Sequence, residues 1–229
     1  MLDTGVDRRG PPKPAGPVTR ALTAVAELVL PTLGLLASFG VIWLLRAEPA
    51  TDFRFLKSFD ASLDPAADGW LTWGVLLVPL SFFVLNLTSR RYGPSVAFNS
   101  VLLAWAIVGG GIYWAISEGV IASFEREVAP VALAAAFAVA MFAGQIIGIY
   151  MFDWLRGIPW WEAPLIAALS SGLVYTVVFH AAMRGDWSEQ AWPRLAALAG
   201  LQLIWAVLQL LPTQMCRRVI RPASGYGGA

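Results

Sequence analysis

The sequence has very few of the residues from which catalytic and metal centres are usually built. Among its 229 residues there is one cysteine, Cys216, and one histidine, His180. A disulfide within one chain and a cluster of cysteine and histidine metal ligands are therefore excluded. The sequence also contains no recognisable pairing of a nucleophile with a base. We expect neither an enzyme nor a bound cofactor or metal.

Charge is scarce as well. Only 14% of the residues are charged and the net charge is +1, which gives no electrostatic basis for nucleic-acid binding. Hydrophobic residues make up 58% of the chain, and the mean hydropathy is +0.65. Soluble domains average about 45–50% apolar and about 25% charged residues. The composition therefore indicates an integral membrane protein with the lipid bilayer as its surroundings.

The apolar residues fall into six stretches, each near the roughly 20 residues that a membrane-spanning helix needs. We call them spans 1 to 6, and they cover residues 21–45, 69–87, 96–117, 129–155, 160–183 and 191–215. The predicted fold class is an all-α, polytopic integral membrane protein with six transmembrane helices. Residues 21–215 form the membrane domain. The tails, 1–20 and 216–229, are predicted to be cytoplasmic, and their Pro- and Gly-rich composition is typical of disorder.

The distribution of Lys and Arg orients the spans. With a cytoplasmic N-terminus, ten of the 16 cations lie on the cytoplasmic side and six lie outside. Both termini are then predicted to be cytoplasmic. This orientation bears on "VLNLTSRRYG", residues 84–93, where Asn86-Leu87-Thr88 is also a glycosylation sequon. A sequon at the cytoplasmic end of span 2 would not meet a lumenal glycosyltransferase, so glycosylation is not expected.

Two aromatic-rich features near the membrane surfaces have alternative interpretations. The outer loop 47–68, with Phe53, Leu56 and Phe59 at a spacing of three, is either a short amphipathic helix on the outer surface or a loosely folded connector. The tryptophans near span ends form an interfacial belt or a stacking platform for a flat ring ligand. They are Trp70, Trp73, Trp114, Trp160, Trp161, Trp187 and Trp192.

Polar residues at membrane depth are candidates for function because burying them in lipid is costly. Glu27 in span 1 is either a ligand acceptor or a snorkelling carboxylate, and His180 is either a packing residue or a proton carrier. The neutral polar residues of spans 4 to 6 either line a cavity or join helices by hydrogen bonds. They are Gln145, Ser170, Ser171, Tyr175, Thr176, Gln202 and Gln209.

Glycine and proline indicate where spans come close or bend. Gly144 and Gly148 form a small-xxx-small pair that favours a tight helix crossing. The run 109–111 in span 3 consists of three glycines and favours either a tight crossing or a locally loosened helix whose carbonyls face a cavity. Pro31 and Pro79 are expected to kink spans 1 and 2.

Two stretches together resemble the queuosine-precursor transporter family, also called vitamin uptake transporters. "WLTWGVLLVPLSFFVLNLTSRRYG", residues 70–93, is similar to the family's Trp-Gly, Pro-containing apolar run, Asp-Leu-Thr, basic residue and Gly. "GQIIGIYMFDWLRGIPWWEAPLIAALSSGLVYT", residues 144–176, is similar to its Gln-rich helix, Phe-x-x-Leu-Arg and Trp-Trp-x-Ala-Pro. The stretches cover about a quarter of the chain. The matching residues are Thr88, Arg90, Gly93, Gln145, Phe152, Leu155, Arg156, Trp160, Trp161, Ala163 and Pro164.

This resemblance implies a six-helix importer of the bacterial inner membrane, whose family members carry deazaguanine precursors of queuosine. It places Arg90 and Arg156 at the cytoplasmic mouth. The chain departs from the family pattern where acids usually stand: Asn86 replaces the aspartate of Asp-Leu-Thr, Gly148 replaces the aspartate after the span-4 glutamine, and Tyr175 replaces the aspartate of an Asn-x-x-Asp pattern in span 5. A carboxylate can take a proton or accept two hydrogen bonds from a guanine-like edge. Asn86 keeps an acceptor and two donors but cannot titrate, Gly148 offers only its backbone, and Tyr175 keeps a hydroxyl and adds a ring.

Two functions are consistent with these observations. The first is a small-molecule transporter resembling the queuosine-precursor importers, with the usual nucleobase-like substrate or an altered one. Its substrate-binding candidates are Asn86, Thr88, Arg90, Gln145, Arg156, Ser171, Tyr175, Gln202 and Glu27. Asn86, Gln145 and Tyr175 are expected to converge on one pocket. The alternative is a non-transporting accessory subunit of a membrane-protein complex or homo-oligomer, which predicts a filled centre.

Overall fold

The computed structural model describes residues 16–65, 70–120, 130–157, 159–184, 191–217 and 219–220. Apart from one isolated β-bridge between Pro49 and Thr72, all regular elements in these residues are helices. Six of them are long and apolar enough to cross a membrane. The predicted fold class is therefore confirmed, and the chain is a multi-pass membrane protein. The tails and Trp187 lie largely outside the described residues, and the orientation of the termini stays a prediction.

The helices follow the predicted spans closely. Their bounds are Pro17–Leu44 for span 1, Trp73–Leu77 and Pro79–Tyr92 for span 2, Pro94–Ser117 for span 3, Val131–Trp154 for span 4, Glu162–Arg184 for span 5, and Ala191–Leu208 and Leu210–Arg217 for span 6.

Span 2 is the central helix of the bundle. It contacts each of the five other spans, and 56% of its apolar window is buried, compared with 22–39% for the others. Val78, Phe82 and Leu85 are at most 2% exposed and pack against the same core as Leu35 and Met141. The first long motif of the sequence therefore lies on the helix that touches all the others.

Proline affects the two predicted kink positions differently. Proline has no N–H to donate and clashes with the preceding turn, so it tends to break a helix. Span 2 is interrupted at Val78, directly before Pro79, and resumes at Pro79 as the first residue of a new helix. Pro31 instead lies inside the uninterrupted helix of span 1. At the other end of span 2, Gly93 has a φ of 88°, which favours glycine, and allows the tight turn into Pro94 and span 3.

The outer loop folds against the bundle. It contains two 3₁₀ helices, Thr51–Ser58 and Ala61–Leu63. Its start is joined to span 2 by main-chain bonds, in which the Ala50 amide donates to the Leu71 carbonyl at 3.0 Å. Phe53 and Leu56 are half-buried against this junction, while Phe59 is 77% exposed. In the part that the structure describes, the loop is thus a short helical element rather than a loose connector. Its contact with the outer membrane surface stays a prediction.

Neither interpretation of the three glycines in span 3 is seen in the part of the chain that the structure describes. Residues 109–111 are exposed, and a Cβ added at any of them would meet no described atom within 4 Å. The helix Pro94–Ser117 continues through them without a break. They therefore mark neither a tight crossing between the described spans nor a loosened helix.

Candidate functional site

Most of the predicted site residues lie in the interior of the bundle. Asn86, Thr88, Gln145, Ser171, Tyr175 and Gln202 are each at most 4% exposed. Arg90, Arg156 and Glu27 are half-buried. We call the end of the bundle at which spans 2, 4 and 6 finish the inner end, and it is the end predicted to face the cytoplasm.

Asn86 joins span 2 to the first turn of span 5, and Arg156 joins it to the connection between spans 4 and 5. The side-chain amide of Asn86 donates from Nδ2 to the carbonyl of Pro164, with the long separation of 3.3 Å. Arg156 donates from Nη2 to the carbonyl of Ser89 at 3.1 Å and forms an ion pair with Asp153 at 3.0 Å. These bonds fix the inner half of span 2 against the second motif. The hydroxyl of Thr88 donates to Val84 within its own helix at 2.8 Å.

Ser171 lies where spans 4 and 5 cross. Gly144 and Gly148 both face it, and the predicted close crossing is confirmed. A Cβ at Gly144 would come within 2.8 Å of the Ser171 carbonyl oxygen and 3.0 Å of the Phe82 ring. A Cβ at Gly148 would collide with the Ser171 hydroxyl. That hydroxyl donates to the carbonyl of Ala167 at 2.8 Å, so its position is fixed by a hydrogen bond.

Gln202 makes the corresponding contact between spans 5 and 6. Its amide lies directly over Gly172, and a Cβ at that glycine would collide with the Gln202 Oε1 atom. Gly172 is therefore needed as a space into which Gln202 fits. The contact between Gly148 and Ser171 joins spans 4 and 5, and the contact between Gly172 and Gln202 joins spans 5 and 6.

Gln145 faces a different neighbour. Its Oε1 atom accepts a hydrogen bond from the indole Nε1 of Trp105 in span 3, at 3.0 Å. The Trp105 ring packs against Phe39 of span 1, with the ring centroids 5.0 Å apart. Gln145 is fully buried, and its Nε2 has no hydrogen-bond partner in the described part of the chain. It is a buried donor with capacity left for another acceptor.

Tyr175 is enclosed by aromatic rings. It stacks on Phe179 with centroids 5.6 Å apart and meets the edge of Phe137 at 6.2 Å. The side chain is 2% exposed and belongs to the main hydrophobic core. Where the family pattern has an acid, this chain has a ring packed among rings.

These residues do not form a single cluster of contacts. Asn86 bonds to Pro164, and Tyr175 lies eleven residues further along span 5, which is about 16 Å along a helix axis. Gln145 bonds toward span 3 rather than toward span 5. The expected convergence of Asn86, Gln145 and Tyr175 is therefore not seen in their hydrogen bonds and ring contacts. The structure instead brings together a different set, in which Gly148 contacts Ser171 and Gly172 contacts Gln202.

Glu27 stands apart from this set. It is half-buried on span 1, and no hydrogen bond or ion pair to its carboxylate occurs among the described residues.

Trp105 is the residue that sequence reasoning missed. Its position in the middle of span 3, away from both membrane surfaces, was the available signal, because a buried indole N–H usually needs an acceptor.

A separate groove of about 440 Å³ lies between spans 3 and 4 near the inner end. It contains none of the predicted site residues. Its lining residues are Pro94, Ser95, Phe98, Asn99, Ile146, Ile149, Tyr150 and Asp153.

Comparison with known proteins gives one informative match. An alignment over 119 residues, which covers 47% of this chain, shows 31% identity to the queuosine precursor transporter of Escherichia coli (strain K12). The matched segment covers 52% of that protein, so the chain spans about half the length of this curated relative. No protein-family model matches the chain, and no solved structure matches it. The resemblance to the queuosine-precursor transporter family that the two sequence motifs predict is confirmed by this match.

Proposed function

We propose that this chain transports a small molecule across the membrane in which its six helices lie. The observation that carries the proposal is the match to a protein named a queuosine precursor transporter. The six-span architecture supports it. We place the protein in the bacterial inner membrane, which the match to a bacterial transporter supports. The distribution of Lys and Arg supports a cytoplasmic position for both termini.

A buried donor without a partner supports Gln145 as a residue that holds a substrate. An unsatisfied buried polar group costs about 1–3 kcal/mol, and the Nε2 of Gln145 is such a group. A substrate acceptor atom, such as a carbonyl or ring nitrogen of a nucleobase, would satisfy it. Gln145 lies in the second motif, which adds support for a nucleobase-like substrate such as a queuosine precursor.

Asn86, Gly148 and Tyr175 stand where the family pattern has acids. Their surroundings support either an altered substrate or altered contacts between the protein and its substrate. Asn86 already bonds to Pro164. The hydroxyl of Ser171 occupies the space beside Gly148, and Tyr175 packs among aromatic rings. Each position is occupied by a contact within the protein. A substrate that depended on carboxylates at these three positions would lose those interactions here.

One observation favours the alternative of an accessory subunit. The middle of the described bundle is filled by large side chains that are fully buried, namely Phe82, Leu35, Met141, Gln145 and Val101. A transporter must open such a core during its cycle, whereas an accessory subunit need not. The two functions differ in whether a substrate crosses the membrane, and this can be measured directly.

The test is the queuosine content of tRNA in bacteria that lack their own importer and cannot make the base. The cells express this protein and receive a low concentration of precursor. Restored queuosine supports transport of that substrate. Absence of queuosine, with the protein shown to be folded in the membrane, contradicts the precursor as substrate.

A pair of variants separates the binding role of Gln145 from its packing role. Gln145→Leu removes the acceptor of the Trp105 indole, and we expect it to lower stability by about 1–3 kcal/mol. Gln145→Leu combined with Trp105→Phe removes both polar partners and should be nearly neutral for stability. If Gln145 binds substrate, the stable double variant still loses uptake. Gly110→Ala, at an exposed position in span 3, is the matched control and should keep uptake. Full uptake by the double variant would contradict a binding role.

A further inference from the structure

We propose that the inner end of the bundle carries a binding site for a phosphate group, formed by Arg90 and Arg217. Arg90 lies in the last turn of span 2, and Arg217 is the last residue of span 6. The phosphate of an anionic phospholipid headgroup is the source that best fits the position of the site. This proposal does not depend on transport.

The first support is an uncompensated pair of positive charges. Arg90 and Arg217 both lie at the connection between spans 4 and 5, because Arg217 stacks on Trp160 and Arg156 bonds to the carbonyl directly before Arg90. Their like charges therefore lie close together. Neither arginine takes part in an ion pair within the described part of the chain. Repulsion between like charges grows as water is excluded, and Arg90 is half-buried. An anion bound between the two guanidinium groups would convert the repulsion into attraction.

The second support is a set of polar atoms at the same turn that lack partners. The Nε of Arg90 is buried without a hydrogen-bond acceptor in the described part of the chain. The adjacent Ser89 is fully buried, and its hydroxyl is likewise without a partner there. Buried polar groups in folded proteins are nearly always satisfied. Oxygen atoms of a bound phosphate would supply acceptors for such donors.

The third support is that neighbouring groups hold the two arginines in place. The guanidinium carbon of Arg217 lies 4.8 Å from the centroid of the Trp160 ring. A guanidinium stacked on a ring keeps its N–H edges available for other partners. Arg156 donates to the carbonyl of Ser89, directly before Arg90, and so fixes the main chain at that turn. The site is therefore built from spans 2 and 6 and from the connection between spans 4 and 5.

The chemistry of the site selects phosphate, and its location favours a lipid. Arginine binds phosphate through two parallel N–H bonds. Trp160 comes shortly after the end of span 4, and tryptophan at span ends is typical of the headgroup depth of a bilayer. Anionic headgroups attract Lys and Arg at the cytoplasmic surface of a membrane.

The experiment uses the purified full chain in nanodiscs of phosphatidylcholine alone or with increasing phosphatidylglycerol. Thermal unfolding is followed by tryptophan fluorescence. A second arm titrates inorganic phosphate into the phosphatidylcholine discs. The variants are Arg90→Gln and Arg217→Gln, and the control is Arg91→Gln, which makes the same charge change at an exposed neighbour of Arg90.

We expect phosphatidylglycerol to raise the unfolding midpoint of the wild-type chain. Each of Arg90→Gln and Arg217→Gln should weaken the apparent affinity for that lipid about fivefold or more, and Arg91→Gln should weaken it less. Arg217→Lys keeps the charge without the two-pronged geometry and should have an intermediate effect. If inorganic phosphate produces the same arginine-dependent shift, the phosphate site is supported and its ligand is free phosphate rather than a lipid headgroup.

Two results would overturn the proposal. One is that neither phosphatidylglycerol nor inorganic phosphate shifts the unfolding midpoint of the wild-type chain. This measurement needs no variant, so it decides the matter even if Arg90→Gln or Arg217→Gln fails to fold. The other is that Arg91→Gln weakens the effect as much as Arg90→Gln does, which would show a general charge effect rather than a site.

Discussion

The crossing of spans 4 and 5 at Ser171 allows a sharp test of the structure. Gly144 and Gly148 both face Ser171, but they meet different atoms. Gly148 faces the hydroxyl of Ser171, and Gly144 faces its main-chain carbonyl oxygen. We therefore predict that Gly144→Ala and Gly148→Ala both destabilise the protein, and that Ser171→Ala rescues Gly148→Ala alone.

The size of each effect can be worked out from the contacts. Overpacking of a tight interface costs about 1–3 kcal/mol, and replacing glycine by alanine within a helix recovers about 1 kcal/mol of helix propensity. At Gly144 the carbonyl cannot rotate away, which puts the overpacking cost at the upper end, about 2–3 kcal/mol, and we expect a net loss of about 1–2 kcal/mol after the gain in helix propensity. At Gly148 the Ser171 hydroxyl can move only by giving up its bond to Ala167. A buried hydroxyl left without a partner costs about 1–3 kcal/mol, so a net loss of up to about 2 kcal/mol remains after the gain in helix propensity.

With the hydroxyl removed, the nearest atom to a Cβ at Gly148 is the Cβ of Ser171 at 3.5 Å, an ordinary contact. The double variant Gly148→Ala with Ser171→Ala should then be as stable as Ser171→Ala or more so. The expected coupling free energy between the two changes is about 1–2 kcal/mol.

The assay is reversible unfolding by SDS in mixed micelles, followed by tryptophan fluorescence, for each single and double variant. Gly110→Ala is the matched control, because a Cβ there would meet no described atom within 4 Å. It should leave stability unchanged or raise it by up to about 1 kcal/mol. The account of the crossing is refuted if Ser171→Ala rescues Gly144→Ala equally, or if Gly110→Ala destabilises as much as Gly148→Ala.

Two further predictions concern side chains that hold separate parts of the chain together. Asn86→Asp replaces the amide donor facing the Pro164 carbonyl with a carboxylate. In the same unfolding assay it should lower the free energy of unfolding by about 1–3 kcal/mol. An unchanged stability would show that the 3.3 Å bond is not formed in solution. Arg194 donates to the Ser62 carbonyl at 3.1 Å, so Arg194→Ala should speed hydrogen exchange across residues 51–63. The control, Arg54→Ala, should not, and equal exchange in both variants would mean that Arg194 does not anchor the loop.

The six spans are predictable from sequence because their cause is local. A bilayer requires about 20 apolar residues per helix, and nothing about neighbouring spans is needed to recognise them. The small-xxx-small spacing of Gly144 and Gly148 likewise reports a crossing, since both residues must lie on one helix face. Similar reasoning failed for residues 109–111, because a helix face rich in glycine predicts a crossing only if another helix lies opposite, and here no described atom does.

The partners of the polar residues were not predictable, because they depend on how spans far apart in sequence pack. Gln145 bonds to Trp105, forty residues earlier, and Asn86 bonds to Pro164, 78 residues later. The sequence identifies polar groups at membrane depth but not the groups that satisfy them. The expectation of one shared pocket assumed that polar residues gather together, whereas Gln145 and Asn86 each bond to a separate neighbour.

The most direct test of the transporter proposal is uptake by the purified protein in proteoliposomes. Labelled queuosine precursor and a set of related nucleobases are offered from outside, with protein-free liposomes as the baseline. The account predicts saturable uptake of at least one of these compounds, reduced by Gln145→Leu with Trp105→Phe and unaffected by Gly110→Ala. No uptake of any of them above the baseline, by protein shown to be folded, would contradict the account and favour an accessory subunit.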